Sequence, residues 1–178
     1  MILETERLIL RPWSEDDAEE CYKYASDDRV GPICGWNVHK SVEESREIIK
    51  NILMVDNTFA IVLKETNSVI GSVGIMKTDL ATKENEYEIG YWLGVPYWGK
   101  GLMTETVKEI IRYTFEDLGA EIIWCGYYEG NERSERVQKK CGFRFMHKTE
   151  HLYVKQMDEY RTGYANRLLR EEWVNQNK

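Results

Sequence analysis

The sequence predicts a single α/β domain over residues 1–178: a mixed, mostly antiparallel sheet of about seven strands with helices on both faces. Three observations predict it. Apolar runs of strand length alternate with amphipathic helical segments in the order βα, α, βββ, α, β, α, β, β. The three consecutive runs in the middle are joined by short polar connections, as antiparallel neighbours are. No internal repeat, low-complexity tract or linker divides the 178 residues, and a chain of that length can bury one sizeable core.

The elements follow in order. Arg7-Leu8-Ile9-Leu10-Arg11-Pro12-Trp13 is a short apolar strand ended by proline. Ser14 is a helix N-cap, and the acidic turn after it suits the helix dipole; Ala18, Cys21, Tyr22 and Ala25 then recur at helical spacing. Residues 27–39 break the pattern with Gly31, Pro32 and Gly35, and read as a loop carrying the aromatics Trp36 and His39. Ser41-Val42-Glu43-Glu44 has the form of a capping box, and the helix it opens puts Val42, Ser45, Ile49, Ile52 and Leu53 on one side. Residues 58–64 and 69–76 are strands around a hairpin turn at Glu65-Thr66-Asn67-Ser68. Residues 80–84 are a polar connection into a strand at 85–93, a turn, and a helix from Leu102 to about Leu118. That helix carries an apolar stripe of Met103, Val107, Ile110, Ile111, Thr114 and Leu118, and Gly119 stops it. The near-continuous apolar run at 121–127 is a strand buried on both faces. A turn at 129–132, a short helix at 134–140 and a strand opening at 143–146 follow; 153–168 reads as a polar hairpin with a last strand, and 169–173 as helix.

Bulk properties exclude some classes. A net charge of −7 disfavours a nucleic-acid partner, which calls for a basic face. Cys21, Cys34, Cys125 and Cys141 form no C-x-x-C pair and stand at no metal-ligand spacing. They read as reduced thiols, with Cys21 and Cys125 in the core. Charged residues interrupt the N-terminus before a signal peptide could form, and no stretch nears the roughly 20 apolar residues of a membrane span. The expectation is a cytoplasmic protein with no metal and no membrane association.

The turn at 94–101 holds Gly94, Gly99, Gly101 and Pro96 and runs straight into a helix. Glycines admit positive φ and close approach of a ligand, and the first N–H groups of a helix have no intrahelical partner. Together they form a backbone site for phosphate. As a pattern, Gly94 to Lys100 matches G-x-x-x-x-G-K, but Gly101 stands where a nucleotide-binding P-loop needs Ser or Thr for Mg²⁺. Thr104 replaces the third glycine of a dinucleotide fingerprint. A metal-free diphosphate cradle and a plain turn remain.

The motifs along the chain resemble those of the GNAT acetyltransferase superfamily, within it the ribosomal-protein N-acetyltransferase-like (Rim-type) group. The resemblance is carried by Thr5-Glu6-Arg7-Leu8-Ile9-Leu10-Arg11, Val69-Ile70-Gly71-Ser72-Val73-Gly74 and Glu88-Ile89-Gly90-Tyr91-Trp92-Leu93. It continues through Tyr97-Trp98-Gly99-Lys100-Gly101-Leu102-Met103-Thr104-Glu105, Asn131-Glu132-Arg133-Ser134, Cys141-Gly142-Phe143 and Leu169-Arg170-Glu171-Glu172-Trp173. It implies transfer of an acetyl group from acetyl-CoA to a primary amine, a protein N-terminus or a small molecule, without a metal. The alternatives are a non-catalytic acyl-CoA-binding sensor and, further off, a P-loop-like nucleotide-binding protein.

The resemblance also implies site residues. The family's fourth and fifth strands, here 85–93 and 121–127, splay apart around the pantetheine arm. Trp92, Leu93 and Gly94 would offer free backbone groups to it, with a strand N–H near Leu93 polarising the thioester carbonyl. Trp98, Gly99, Lys100, Gly101, Leu102 and Met103 would cradle the diphosphate, Pro96 standing where the family often has Gln or Arg. Asn131 would bind the pantetheine arm, and Ser134 would protonate the leaving thiolate, with Tyr127 or Tyr128 as alternative acids. A base is needed because an alkylamine is mostly protonated at neutral pH. Glu88 is the first choice and Glu86 the second; alternation puts both on one strand face with Gly90 and Trp92, opposite Tyr87, Ile89, Tyr91 and Leu93. The acceptor would lie between the 27–39 loop, with Trp36 and His39 as walls, and the segment after Phe143. A homodimer through the C-terminal strands is the family's common assembly. A charge of −7 suits a basic peptide, a polyamine or an aminoglycoside alike.

Overall fold

The computed structural model describes residues 1–78, 80 and 84–176. Eight strands form one sheet: β1 (Leu3–Glu4), β2 (Leu8–Pro12), β3 (Thr58–Leu63), β4 (Ser68–Met76), β5 (Glu86–Leu93), β6 (Ile122–Tyr128), β7 (Arg144–Val154) and β8 (Glu159–Leu169). Their spatial order is β1-β2-β3-β4-β5-β6-β8-β7. Every neighbouring pair is antiparallel except β5 and β6. The helices are α1 (Ala18–Ala25), α2 (Gly31–Cys34), α3 (Val42–Ile48), α4 (Leu102–Glu116), α5 (Glu132–Lys140) and α6 (Arg170–Gln176).

The sheet is covered on both sides because its strands alternate apolar residues between two cores. Phe59 and Ile61 of β3 join Leu8, Leu10, Ile89 and Ile123 under α4, whose Leu102, Met103, Val107, Ile110, Ile111 and Phe115 form the buried stripe. Each such aliphatic side chain contributes about 1.5–3 kcal/mol when fully buried. Ala60 and Val62 point the other way, to Ala18, Cys21 and Ala25 of α1 and to Ile49.

Several elements differ from the sequence expectation. The eighth strand is β1, two residues long and paired to Leu10 and Ile9, too short to show a period. The 27–39 segment contains the one-turn helix α2, closed by Gly35 at φ 90°. Ser41 accepts from the Glu44 N–H as a cap, but the Glu44 carboxylate returns to the Lys40 N–H rather than to Ser41. After α3 the backbone widens into a π turn at Ile49–Leu53. The changed pitch buries Ile49 and leaves Ile52 55% exposed, so the 3.6-residue reading of that face fails at Ile52. The strand opening at Phe143 runs on to Val154; every residue of β7 except Val154 is exposed, so no alternation marks it. Residues 81–83, within the connection read at 80–84, lie outside the described residues.

Candidate active site

β5 and β6 run parallel and pair over only three residues each, Glu86–Glu88 against Ile122–Trp124. Beyond that, each follows its other neighbour: β4 holds β5 as far as Leu93, and β8 holds β6 as far as Tyr128. The gap between them opens into two cavities. One, of about 390 Å³, is bounded by Tyr91, Leu93, Trp98, Gly99, Met103 and Ser134 among others. The other, of about 400 Å³, is bounded by Glu88, Tyr127, Tyr128, His147, Leu152 and Tyr164 among others. They meet at Ile33, Cys34, Tyr91, Asn131 and Ser134, which line both.

Backbone hydrogen bonding decides which groups of the first cavity can serve a ligand. Gly94 N–H donates to the Ile70 carbonyl at 2.8 Å, and the Gly94 carbonyl accepts from Tyr97 N–H at 3.0 Å. Gly94 therefore does not offer the free groups expected of it. Its φ is −59°, so the glycine is required for space: a Cβ there would lie 2.6 Å from the Tyr24 ring. By strand alternation Trp92 turns its peptide groups toward β4 as Gly94 does, while Leu93 turns its own toward the gap. The Trp98 indole donates to the Leu93 carbonyl at 2.7 Å, which leaves the Leu93 N–H as the donor facing the gap. The Trp98 N–H is used within the turn, on the Val95 carbonyl, and does not belong to the cradle. Trp92 lines the first cavity with its indole packed against Trp13 and Trp36.

Past Trp98 the chain is open. Gly99 and Gly101 have φ of 73° and 78°, the left-handed conformation that glycine adopts without strain. Gly101 caps α4 with no side-chain hydrogen bond, so the N–H groups of Leu102, Met103 and Thr104 are the orphan donors of the helix and its positive dipole end. Gly99, Lys100 and Gly101 border them. This cradle is held in place by the N-terminal Thr5-Glu6-Arg7 segment. Glu105 on the first turn of α4 accepts from the Thr5 hydroxyl at 2.6 Å, the Arg7 N–H at 2.8 Å and the Arg7 Nε at 2.7 Å. Arg7 also donates to the Lys100 carbonyl at 3.0 Å. Burial pulls the Glu105 carboxyl upward, but the bonds from Thr5 and Arg7 outweigh it and hold the group below its ordinary value.

Arg133, Arg136 and Lys140 of α5 also line this cavity, and the Arg133 guanidinium stacks 4.2 Å from the Trp98 ring. The sequence reading passed over them. Their spacing of three and then four residues, which puts three cations on one helix face, was the available signal. Anionic oxygens fit this set: orphan N–H groups, two left-handed glycines and a basic helix face.

At the junction, Asn131 caps α5 by accepting from the Ser134 N–H at 3.2 Å. Ser134 sits in the first turn, at the positive end of α5. The Tyr91 phenol lies 3.0 Å from Ser134 Oγ. Alternation placed Tyr91 away from Glu88 but gave no sign that it reaches α5. Tyr127 stacks on Tyr164 at 5.0 Å, and Arg161 lies 5.3 Å from the Tyr128 ring.

Glu88 is half-buried and lines the second cavity, beside Gly126 of β6. Glu86, the second choice for a base, is 1% exposed, accepts from the Trp124 indole at 2.8 Å and borders neither cavity. Trp36 and His39 are not cavity walls. Trp36 packs on Trp92 and on His39, and His39 is buried with Nδ1 2.8 Å from Ser45 Oγ. Burial pushes its imidazole below the ordinary pKa. Ile33 and Cys34 supply the walls from that segment instead. His147, Thr149 and Leu152 supply the opposite one. Among the described residues no group of His, Cys, Asp and Glu could hold a metal ion, and no helix is long and apolar enough to cross a membrane.

A parallel pair that diverges beside a glycine turn and a helix N-terminus matches the arrangement that the resemblance to the GNAT superfamily implied. The family model described as "Acetyltransferase (GNAT) domain" matches residues 7–144, and the chain belongs to that family. A curated relative from Bacillus licheniformis, N-acetyltransferase p20, is 37% identical over 147 residues, covering 80% of this chain and 82% of that protein. The crystal structure of a GNAT-family acetyltransferase from Bacillus anthracis superposes with a TM-score of 0.85 at 25% identity, covering 96% of this chain and 99% of that one. A ribosomal-protein-S5-alanine acetyltransferase from Vibrio fischeri shares the fold, with a TM-score of 0.75 at 20% identity over 97% of this chain and 98% of that one. The protein is an acyltransferase of the N-acetyltransferase type.

Proposed function

We propose that the protein transfers the acetyl group of acetyl-CoA directly to a primary amine, a protein N-terminus or a small molecule, with Glu88 as base and Ser134 serving the leaving sulfur. One observation carries the reading: the two cavities meet at Tyr91, Asn131 and Ser134, with the anion cradle in one and the Glu88 carboxylate in the other. Gly99, Lys100, Gly101, Leu102 and Met103 bind the diphosphate through N–H groups, with Arg133, Arg136 and Lys140 neutralising phosphate charge. Asn131 orients the pantetheine arm. Glu88, directly or through water, takes the proton that the amine loses. The Leu93 N–H donates to the carbonyl oxygen as negative charge develops there. Ser134, at the dipole end of α5, donates to the sulfur as the carbon–sulfur bond breaks.

The test is thiol release from acetyl-CoA over a panel of amines and N-terminal peptides. Binding of acetyl-CoA with no thiol release for any amine would overturn the transferase reading in favour of a sensor. Glu88→Gln should lower turnover at neutral pH by roughly 10²-fold and move the optimum upward, because only the amine's own deprotonation then supplies the nucleophile. An unchanged pH profile removes Glu88 from the mechanism.

A further inference from the structure

Ser134 is held by more than its place on α5. Its Oγ lies 3.0 Å from Gln138 Nε2 and 3.0 Å from the Tyr91 phenol oxygen. The direction of the first contact is fixed by what lies beyond it. Gln138 Nε2 is also 3.1 Å from the Gly126 carbonyl, which can only accept, and Gln138 Oε1 is 2.6 Å from Asn166 Nδ2. The end of the amide facing Ser134 is therefore its NH₂ end, and Gln138 donates to Ser134 Oγ. Gln138 is fully buried and Asn166 is 5% exposed, so this orientation is locked by the core. Tyr91 has Ser134 Oγ at 3.0 Å and the Ser134 carbonyl at 3.3 Å in reach, with the Cys125 thiol beside it; the shorter of the two oxygen contacts is to Oγ. Burial, together with the nearby Cys125, pushes the phenol well above its ordinary pKa against the pull of its hydrogen bonds to Ser134 and Gln138. It keeps its proton and remains available as a donor.

We infer that Tyr91 and Gln138 are positioning residues that act through Ser134: both donate into the lone pairs of its Oγ, and the Ser134 O–H is left to point into the junction of the two cavities. A hydroxyl that accepts twice is polarised into a better donor. The inference rests on the reading of Ser134 as the group that serves the leaving sulfur. In that step the carbon–nitrogen bond forms, the carbon–sulfur bond breaks and the sulfur leaves with the bonding pair. The amine's surplus proton goes to Glu88. The sulfur gains one proton through the Ser134 hydroxyl, which recovers it through cleft water from the proton delivered to Glu88, so carboxylate and hydroxyl are both restored and the thiol and the amide balance the thioester and the amine.

The experiment is a set of double-mutant cycles on turnover at saturating acetyl-CoA, with the acetyl-CoA Kd measured for every variant. Ser134→Ala should lower kcat by roughly 10²-fold. Tyr91→Phe and Gln138→Met, which keep shape and remove the donor, should each lower kcat about 10-fold with Kd unchanged; combined with Ser134→Ala, each should cost less than about 2-fold more. If Tyr91→Phe and Gln138→Met turn over like the parent, or keep their full cost when Ser134 is absent, the inference is overturned while Ser134 stands. If Ser134→Ala turns over like the parent, the reading of Ser134 fails and the inference with it. Should Gln138→Met not fold, the Tyr91→Phe cycle alone decides.

Discussion

The thiols show how strongly this interior discriminates against charge. Burial pushes Cys21 up to about 12, Cys34 and Cys141 up to about 11, and Cys125 well above the ordinary range, where the nearby Glu88 charge adds to burial. A thiol whose pKa is higher folded than unfolded binds its proton more tightly in the native chain. Its stabilisation is complete below the unfolded value near 9 and is lost as pH rises through the folded value. The chain should therefore lose stability between pH 9 and about 11, by at most about 1.4 kcal/mol per pH unit for each thiol. Urea denaturation from pH 8 to 11 checks this; Cys21→Ala should show a shallower decline, and parallel curves would refute the assignment. Cys21 and Cys125 were legible as core residues because Cys21 falls on the apolar face of a helical period and Cys125 within the near-continuous apolar run at 121–127. Trp36 and His39 were not, since an aromatic in an aperiodic loop can pack or face a ligand with the same sequence appearance. Tyr91 was legible only to its strand face; its contact with Ser134 joins elements that only the sheet brings together.

Among the elements, the connection between β1 and β2 bears most directly on the cradle. It has little core of its own, yet Thr5 and Arg7 together place three hydrogen bonds on Glu105 and one on Lys100. The Arg7–Glu105 pair at 2.7 Å has its carboxylate 16% exposed and its guanidinium 43% exposed, so the hydrogen bonds matter more than the charge pairing. Glu105→Ala should destabilise the chain by about 1–3 kcal/mol, read from the urea midpoint. It should also weaken acetyl-CoA binding several-fold, because the Gly99–Gly101 backbone loses its tether. Destabilisation with unchanged affinity would mean that the clamp does not set the cradle. Because the Glu105 carboxyl is held below its ordinary value, this stabilisation is present above about pH 4.5 and fades as pH falls through the lowered value. The elements legible beforehand were those with a strong period or a stop signal, α4 before Gly119 and the β3–β4–β5 run. The π turn after α3 was hidden because its effect is to change the period, and β7 because eleven residues with one buried side chain carry no alternation.

At the scale of the molecule, the sheet is two half-sheets joined by a short seam. β1 to β5 form one continuous antiparallel unit, β6, β8 and β7 form another, and three parallel residue pairs connect them, Glu86–Glu88 with Ile122–Trp124. The cradle belongs to the first half through α4, and Asn131, Ser134 and the cations of α5 belong to the second. A coenzyme A molecule bound as proposed therefore touches both halves, and its binding energy resists their separation. By mass action, acetyl-CoA at a hundred times its Kd should add about 2.7 kcal/mol to the unfolding free energy. Its more specific signature is spatial: hydrogen exchange should slow at the β5 N–H groups of Tyr91 and Leu93, which face the gap, at the far end of β6 and at the first turn of α5, as well as in the cradle. A fragment with only the adenosine 3′,5′-diphosphate moiety should protect the cradle and leave the seam unchanged, because it has no pantetheine to enter the gap. If acetyl-CoA protects the cradle alone, the arm does not lie between β5 and β6, and the divergence of those strands is a feature of packing rather than a binding cleft.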